Sequence, residues 1–466
     1  MEDSKQQYHV VIFPFMSKGH TIPLLHLAHL LLRRGIAVTV FTTPANHPFT
    51  AKFLSNTTAS IIDIPFPENV PEIPSGIEST DKLPSISVFH QFALATERMQ
   101  PDFERALESF PVVNFMVFDG FLWWVADSAA KFGIQRLFFL GMSNYASCVS
   151  RAVAESKVLF GPQLDDELIN VSKFPWINVT KNDFESPFRD PEPKGPPFEL
   201  LLKSMIAASI SNGFISNSFY ELEPVFVDYL NNRSKQKTWC VGPLCLASTP
   251  RVETELLNEP SWIQWLDQKL KQGSSVLYVA FGSQAEISAE QLKEITIALE
   301  ESRVNFLWVI RKQESELGEG FEERVKERGI VVREWVDQME ILMHPSIQGF
   351  LSHCGWNSVL ESICAGVPIL AWPMMAEQHI NARMVREEIK IGLRVETCNG
   401  SVRGFVKWEG LEKMVKELME GEMGKKVRNK VSEFAEMAKK AMKEGTGSSW
   451  RTLDMLLEEF CRAKMT

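Results

Sequence analysis

IQGFLSHCGWNSVLESICAGVPILAWP, residues 347–373, decides the fold. Its first six residues form an apolar run of strand length. HCGWNS (353–358) is a polar, aromatic turn, VLESICAG (359–366) reads as a helix, and PILAWP (368–373) reads as a second strand. A strand, a crossover helix and a strand in so short a span make a βαβ unit, hence a parallel sheet with a right-handed connection. In an open sheet of this kind ligands collect at the carboxyl ends of the strands, where the following helix presents unpaired backbone N–H groups. Gly355 permits close backbone approach, Asn357 and Ser358 are placed to cap the helix and donate to an anion, and His353 adds a donor. The chemistry of the turn therefore points to a phosphate.

The same alternation spreads in both directions. SVLYVAFGS (275–283), NFLWVI (305–310) and IVVREW (330–335) read as strands of the same half, with a helix over 288–302. An earlier series comprises HVVIFPF (9–15), a helix over 21–35, AVTVFTT (37–43), NFMVFD (114–119), QRLFFL (135–140) and FISNSF (214–219). Between 160 and 200 the rhythm breaks into a Pro-rich, acidic stretch expected to be an irregular surface loop. A chain of 466 residues exceeds one ordinary core. The expectation is α/β, with two Rossmann-like doubly wound domains: residues 1–245, a linker at 246–260, residues 261–445, and a final helix over 446–466. The apolar stripe Leu453, Leu456, Leu457 and Phe460 needs a surface to pack on.

Composition narrows the function. A formal net charge of −10 argues against broad nucleic-acid binding. No run of apolar residues is long enough to span a membrane, and MEDSKQQYHVVIF is acidic where a secretory leader would be basic. The seven cysteines form no CxxC pair, as in a reduced, cytoplasmic protein, and the four N-x-S/T sites are read as chance. GEMGKK (421–426) lacks P-loop spacing, and neither GEGFEE (318–323) nor FPFMSKGH is a dinucleotide fingerprint. There is no DxD pair to hold a metal.

Around the turn, further side chains suit a nucleotide sugar. Trp335 stands at another strand-to-helix turn, where an indole can stack on a base and the next backbone amide can read its edge. Glu361 lies one helical turn beyond Asn357, within reach of ribose hydroxyls. Glu377 and Gln378 follow PILAWP and match the vicinal hydroxyls of a sugar. In the first half, His20 follows a strand and is positioned as a general base, with Asp119 at the end of NFMVFD placed to orient it.

Residues 335–378, WVDQMEILMHPSIQGFLSHCGWNSVLESICAGVPILAWPMMAEQ, closely resemble the signature box of plant family-one UDP-dependent glycosyltransferases. The similarity extends to the KGH turn, the VFDGF segment and the overall length. The resemblance implies a GT-B arrangement of two domains facing across a cleft, with donor on the C-terminal half, acceptor on the N-terminal half, and the last helix packing back on the N-terminal domain. By position it implies uracil stacking on Trp335, backbone contacts from Val336, and ribose contacts from Gln338 and Glu361. Ser283, His353, Trp356, Asn357 and Ser358 surround the diphosphate, and Glu377 and Gln378 hold the sugar. Gln at position 378 is similar to glucose users.

By the same resemblance, His20 and Asp119 are expected to be the catalytic pair. The implied reaction is metal-independent, inverting transfer of glucose from UDP-glucose to a hydroxyl of a flavonoid, phenolic or terpenoid, by a cytoplasmic monomer with no cofactor. Asp337 replaces a common Pro, where it serves as a helix cap, and Leu140 stands where many relatives carry Ser or Thr near the sugar. Phe121, Trp123, Trp124, Phe139, Tyr145 and Phe188 offer apolar walls for the acceptor. A nucleotide-sugar-binding protein without transfer activity is the alternative.

Overall fold

The computed structural model describes residues 8–110, 112–247, 260–310 and 317–462, so most of the expected linker lies outside the described residues. Strands β1 (His9–Phe13), β2 (Ala37–Thr42), β3 (Ser60–Asp63), β4 (Phe115–Asp119) and β5 (Gln135–Leu140) precede a small antiparallel hairpin, β6 (Ile169–Val171) with β7 (Phe174–Val179). Then come β8 (Gly213–Ser216) and β9 (Lys237–Cys240). The second series is β10 (Val276–Ala280), β11 (Asn305–Val309), β12 (Gly329–Val332), β13 (Ile347–Ser352), β14 (Ile369–Ala371) and β15 (Gly392–Arg394).

The first sheet runs β3-β2-β1-β4-β5-β8-β9 and the second β12-β11-β10-β13-β14-β15, every pairing within them parallel. Both faces of each sheet are covered, which is why the strands are near-continuously apolar. Val11, Phe13, Met116 and Phe118 enter one core, whereas Val10, Ile12, Phe115 and Val117 enter the other. In the second sheet Leu277 and Val279 face one core, and Val276, Tyr278 and Ala280 the opposite one. Strand order reverses between β1 and β4 in the first sheet and between β10 and β13 in the second. Such switch points open a crevice beyond the strand ends.

The chain divides into two compact units: 1–144, 192–248 and 440–466 form one, and 145–191 with 249–439 the other. This corrects the expected boundary, since residues 145–191 leave the N-terminal domain. The cause is a set of polar anchors within the second unit. Arg383 Nε donates to the buried Asp183 Oδ2 at 2.6 Å, Ser401 Oγ to Asp166 Oδ1 at 2.8 Å, and Arg403 Nε to the Asn182 carbonyl at 2.7 Å. The stretch expected to be irregular carries the β6–β7 hairpin and part of the helix Pro196–Ile210. In the first unit, Leu453, Leu456 and Phe460 of the C-terminal segment are buried with Val10, Phe115 and Trp239. Among the described residues no helix is long and apolar enough to cross a membrane.

Candidate active site

In the first unit, β1 leads through Phe15 into the helix Lys18–Leu32, whose first turn carries His20. β4 ends on Asp119, so adjacent strands deliver the two groups to the switch point. His20 Nδ1 lies 2.7 Å from Asp119 Oδ2. Asp119 is 1% exposed, and its other oxygen accepts from the Phe121 amide at 3.0 Å, which fixes the carboxylate. An Nδ1–H donated to Asp119 leaves Nε2 as the proton acceptor.

The imidazole packs against Phe15 and Phe121, with ring centroids at 5.8 and 5.2 Å, and Phe89 closes the cluster against both phenylalanines. Gly141, just after β5, gives the ring room, for a Cβ there would meet His20 Cε1 at 3.0 Å. Leu140, the last residue of β5, is partly buried against the core of this unit. Of the other aromatics expected to line an acceptor pocket, Trp123, Trp124, Phe139 and Tyr145 are buried core residues, which corrects that expectation.

In the second unit, β10 runs into Phe281-Gly282-Ser283, with Ser283 exposed, and β13 runs into His353-Cys354-Gly355. The His353 ring is sandwiched between two glycines, since a Cβ would meet its Nε2 at 2.7 Å from Gly282 and at 2.6 Å from Gly355. Burial lowers the His353 pKa to about 4, so the ring is neutral at pH 7 and has a single N–H to donate.

Cys354 holds a left-handed backbone, φ 62°, strained for a residue with a Cβ. Ser352 Oγ accepts from its amide at 3.2 Å and Asn381 Nδ2 donates to its carbonyl at 3.0 Å, which holds the turn in place. The helix spans Trp356–Ala365 with Gly355 as N-cap, and no side chain caps it. Asn357 and Ser358, expected as caps, therefore stand in the first turn. The extended Gly355 backbone starts the helix earlier than the polar pattern implied. Trp356 is 2% exposed, so its indole belongs to the core, and at the first helical position its backbone N–H lies outside the helix's own hydrogen bonds.

Trp335 follows β12 with 62% of its surface exposed, while the Val336 side chain is buried. Asp337 caps the next helix, its Oδ1 accepting from the amides of Met339 (3.0 Å) and Glu340 (3.3 Å). Gln338 Nε2 donates to Ser358 Oγ at 2.8 Å and to Glu361 Oε2 at 2.6 Å, and Tyr278 donates to Gln338 Oε1 at 3.3 Å. Although part of the Glu361 side chain touches solvent, its carboxyl lies deep. Burial raises its pKa to about 7, the Gln338 hydrogen bond opposing the shift and Asp337 adding to it.

After β14, Gln378 Oε1 accepts from the amides of Met374 and Met375, each at 3.0 Å, which ties the loop down and leaves its amino group as the donor. Glu377 Oε1 accepts from Asn381 Nδ2 at 3.5 Å. Thus Gln338, Ser358 and Glu361 form one hydrogen-bonded group. His353 meets the glycine turn after β10 that carries Ser283, and Glu377 is tied through Asn381 to the Cys354 turn. Tyr278, Asn381, Gly141, Phe15 and Phe89 escaped the sequence reading. Only Asn381, three residues past Gln378 on a short helix, had a signal in its spacing.

A family model described as "UDP-glucoronosyl and UDP-glucosyl transferase" matches residues 268–436. Over its full length the chain is 55% identical to UDP-glycosyltransferase 90A1 of Arabidopsis thaliana, covering 98% of that protein. It belongs to the plant family-one UDP-glycosyltransferases. Another such glycosyltransferase, the scopoletin glucosyltransferase of Nicotiana tabacum, is 36% identical over 97% of this chain and 98% of its own. The structure of Glycyrrhiza uralensis UGT73P12 complexed with glycyrrhetinic acid 3-O-monoglucuronide matches with a TM-score of 0.87 at 29% identity, over 99% of this chain and 97% of that one. The two parallel-sheet, Rossmann-like units are those of the GT-B glycosyltransferase fold.

Proposed function

We propose that this glycosyltransferase moves glucose from UDP-glucose to a hydroxyl of a small apolar acceptor, a flavonoid, phenolic or terpenoid alcohol, with inversion to a β-glucoside. The observation that carries the reading is the His20–Asp119 pair at 2.7 Å on the switch point of the first sheet. His20 Nε2 takes the acceptor proton as its oxygen attacks the anomeric carbon, while Asp119 holds the tautomer and stabilises the imidazolium. General-base assistance of this kind contributes about 10² to 10⁴ in rate. One new C–O bond forms, the bond from the anomeric carbon to UDP breaks on the opposite side, and the negative charge leaves with UDP. A single in-line displacement inverts an α-linked donor.

The second unit supports the donor half of the reading. Trp335 stacks the uracil, Val336 offers its backbone to the base edge, and Gln338 with Glu361 takes the ribose. Ser283, neutral His353 and the N–H groups of Trp356, Asn357 and Ser358 receive the diphosphate as charge develops on it. Glu377 and the Gln378 amino group read the sugar, in keeping with glucose. The sequence has no DxD pair, which favours a reaction that needs neither metal nor cofactor. We read the protein as a cytoplasmic monomer. The paired dyad favours an enzyme over a binding protein that has lost transfer.

The test is incubation of the purified protein with UDP-glucose, a chelator, and a pool of flavonoids, simple phenols and terpenoid alcohols, read by chromatography and mass spectrometry. New β-hexosides are expected. UDP-glucose binding without any product would favour the binding-protein reading.

A further inference from the structure

The second unit carries an open cleft of about 1070 Å³ beyond the carboxyl ends of β14 and β15, and none of the residues assigned above to catalysis or donor binding lines it. Arg394, the last residue of β15, forms part of its wall. Its guanidinium is largely enclosed; burial lowers its pKa and Arg383 adds to the shift, while Asp183 and Glu387, beyond ion-pair distance, oppose it. Of the other cations on this lining, Arg383 pairs with Asp183 and Glu387, Arg403 with Glu185, and Lys413 with Glu396, while the exposed Arg386 stands in solvent without a carboxylate partner among the described residues. Arg394 has none among the described residues. Its one hydrogen-bond partner there is a neutral ring, Nη2 donating to His379 Nδ1 at 3.3 Å.

Burial, reinforced by Arg403, Arg394 and Arg383, lowers the His379 pKa to about 2. That imidazole stays uncharged, accepts at Nδ1 and so carries its proton on Nε2. A guanidinium so enclosed ordinarily has an anion beside it, because desolvating an unpaired charge is costly.

The geometry points to a second ligand site in this cleft, one that takes a small carboxylate with an apolar body, its anionic group on Arg394. The planar guanidinium fork matches a carboxylate, and Trp372, Met374, Leu393 and Phe405 supply apolar wall. On the same lining Glu286, Glu387, Glu396 and Glu417 are balanced by Arg383, Arg386, Arg403 and Lys413, which leaves the single charge of Arg394 to be met and favours a monoanion over a phosphate ester. The site adjoins the loop that ends at Gln378, but it stands on its own residues and does not depend on the transferase reading.

The probe is benzoate, with benzyl alcohol as its uncharged counterpart, followed by saturation-transfer NMR on the full chain with saturating UDP present. Benzoate is expected to bind about tenfold more tightly than benzyl alcohol, the equivalent of one charge-assisted contact. Arg394→Gln is expected to abolish that advantage while UDP affinity is retained. Phe405 is 42% exposed, so Phe405→Glu spares the fold and places a repelling carboxylate on the wall. It too should expel benzoate, and it decides the matter if Arg394→Gln does not fold. Displacement of benzoate by UDP, equal binding of the two probes, or undiminished benzoate binding in Phe405→Glu would overturn the proposal.

Discussion

Glu361→Gln separates the ribose reading from a structural one through pH. The carboxyl of Glu361 is held near pKa 7 by burial, and ribose hydroxyls donating to it would favour its charged form. If only the ionised group takes the ribose, the ionised fraction sets the affinity. That fraction is about one-tenth at pH 6 and about nine-tenths at pH 8. UDP affinity should therefore rise about tenfold over this range, or about 1.4 kcal/mol. The sign is fixed: raising the pH removes the proton that competes with ribose. His353, with its pKa near 4, stays neutral throughout and adds no slope. Titration of the UDP phosphate affects parent and variant alike, so it cancels in their difference. Calorimetric titration of both proteins with UDP at pH 6, 7 and 8 is the assay. Glu361→Gln should bind more weakly at pH 8 and lack the tenfold component, and identical pH profiles would show that the Glu361 carboxylate does not take the ribose.

Trp335→Ala should lower UDP affinity by about 1–3 kcal/mol, the worth of one stacked base, without moving the melting temperature, since the indole is 62% exposed; calorimetry and a thermal scan check both halves. Gly282→Ala introduces a Cβ 2.7 Å from His353 Nε2 on a left-handed backbone, φ 77°, and should cut UDP affinity about tenfold by displacing the ring. Unchanged binding would show that His353 is not positioned by that contact. Asp183→Ala strands the buried Arg383 guanidinium, with Glu387 as its remaining carboxylate partner, and should cost about 3 kcal/mol, seen as a fall in melting temperature.

The parallel sheets were legible because strands buried on both faces read as unbroken apolar runs. VVIF, VLYVA and FLS each stood out between polar turns. The strands that escaped, β3, β9 and β15, are three or four residues long and lie at or next to sheet edges, where half the apolar signal is missing. The hairpin of β6 and β7 hid because its short apolar runs are broken by Asn170, Pro175 and Asn178, with Ser172 and Lys173 at the turn. Its attachment to the second unit depends on pairs such as Asp183–Arg383, 200 positions apart, which no local pattern encodes.

At the site, residue types suggested the chemistry of the turn but not the start of its helix, because a glycine cap leaves no side-chain signature. Nor could composition tell Trp124, sealed in the core, from Trp335, open to solvent. That distinction belongs to packing.

His20 is proposed as the base of a transferase, and His20→Ala removes that base alone. With UDP-glucose and an acceptor that the parent protein turns over, turnover is expected to fall at least a hundredfold with UDP affinity unchanged. Turnover equal to that of the parent would contradict it.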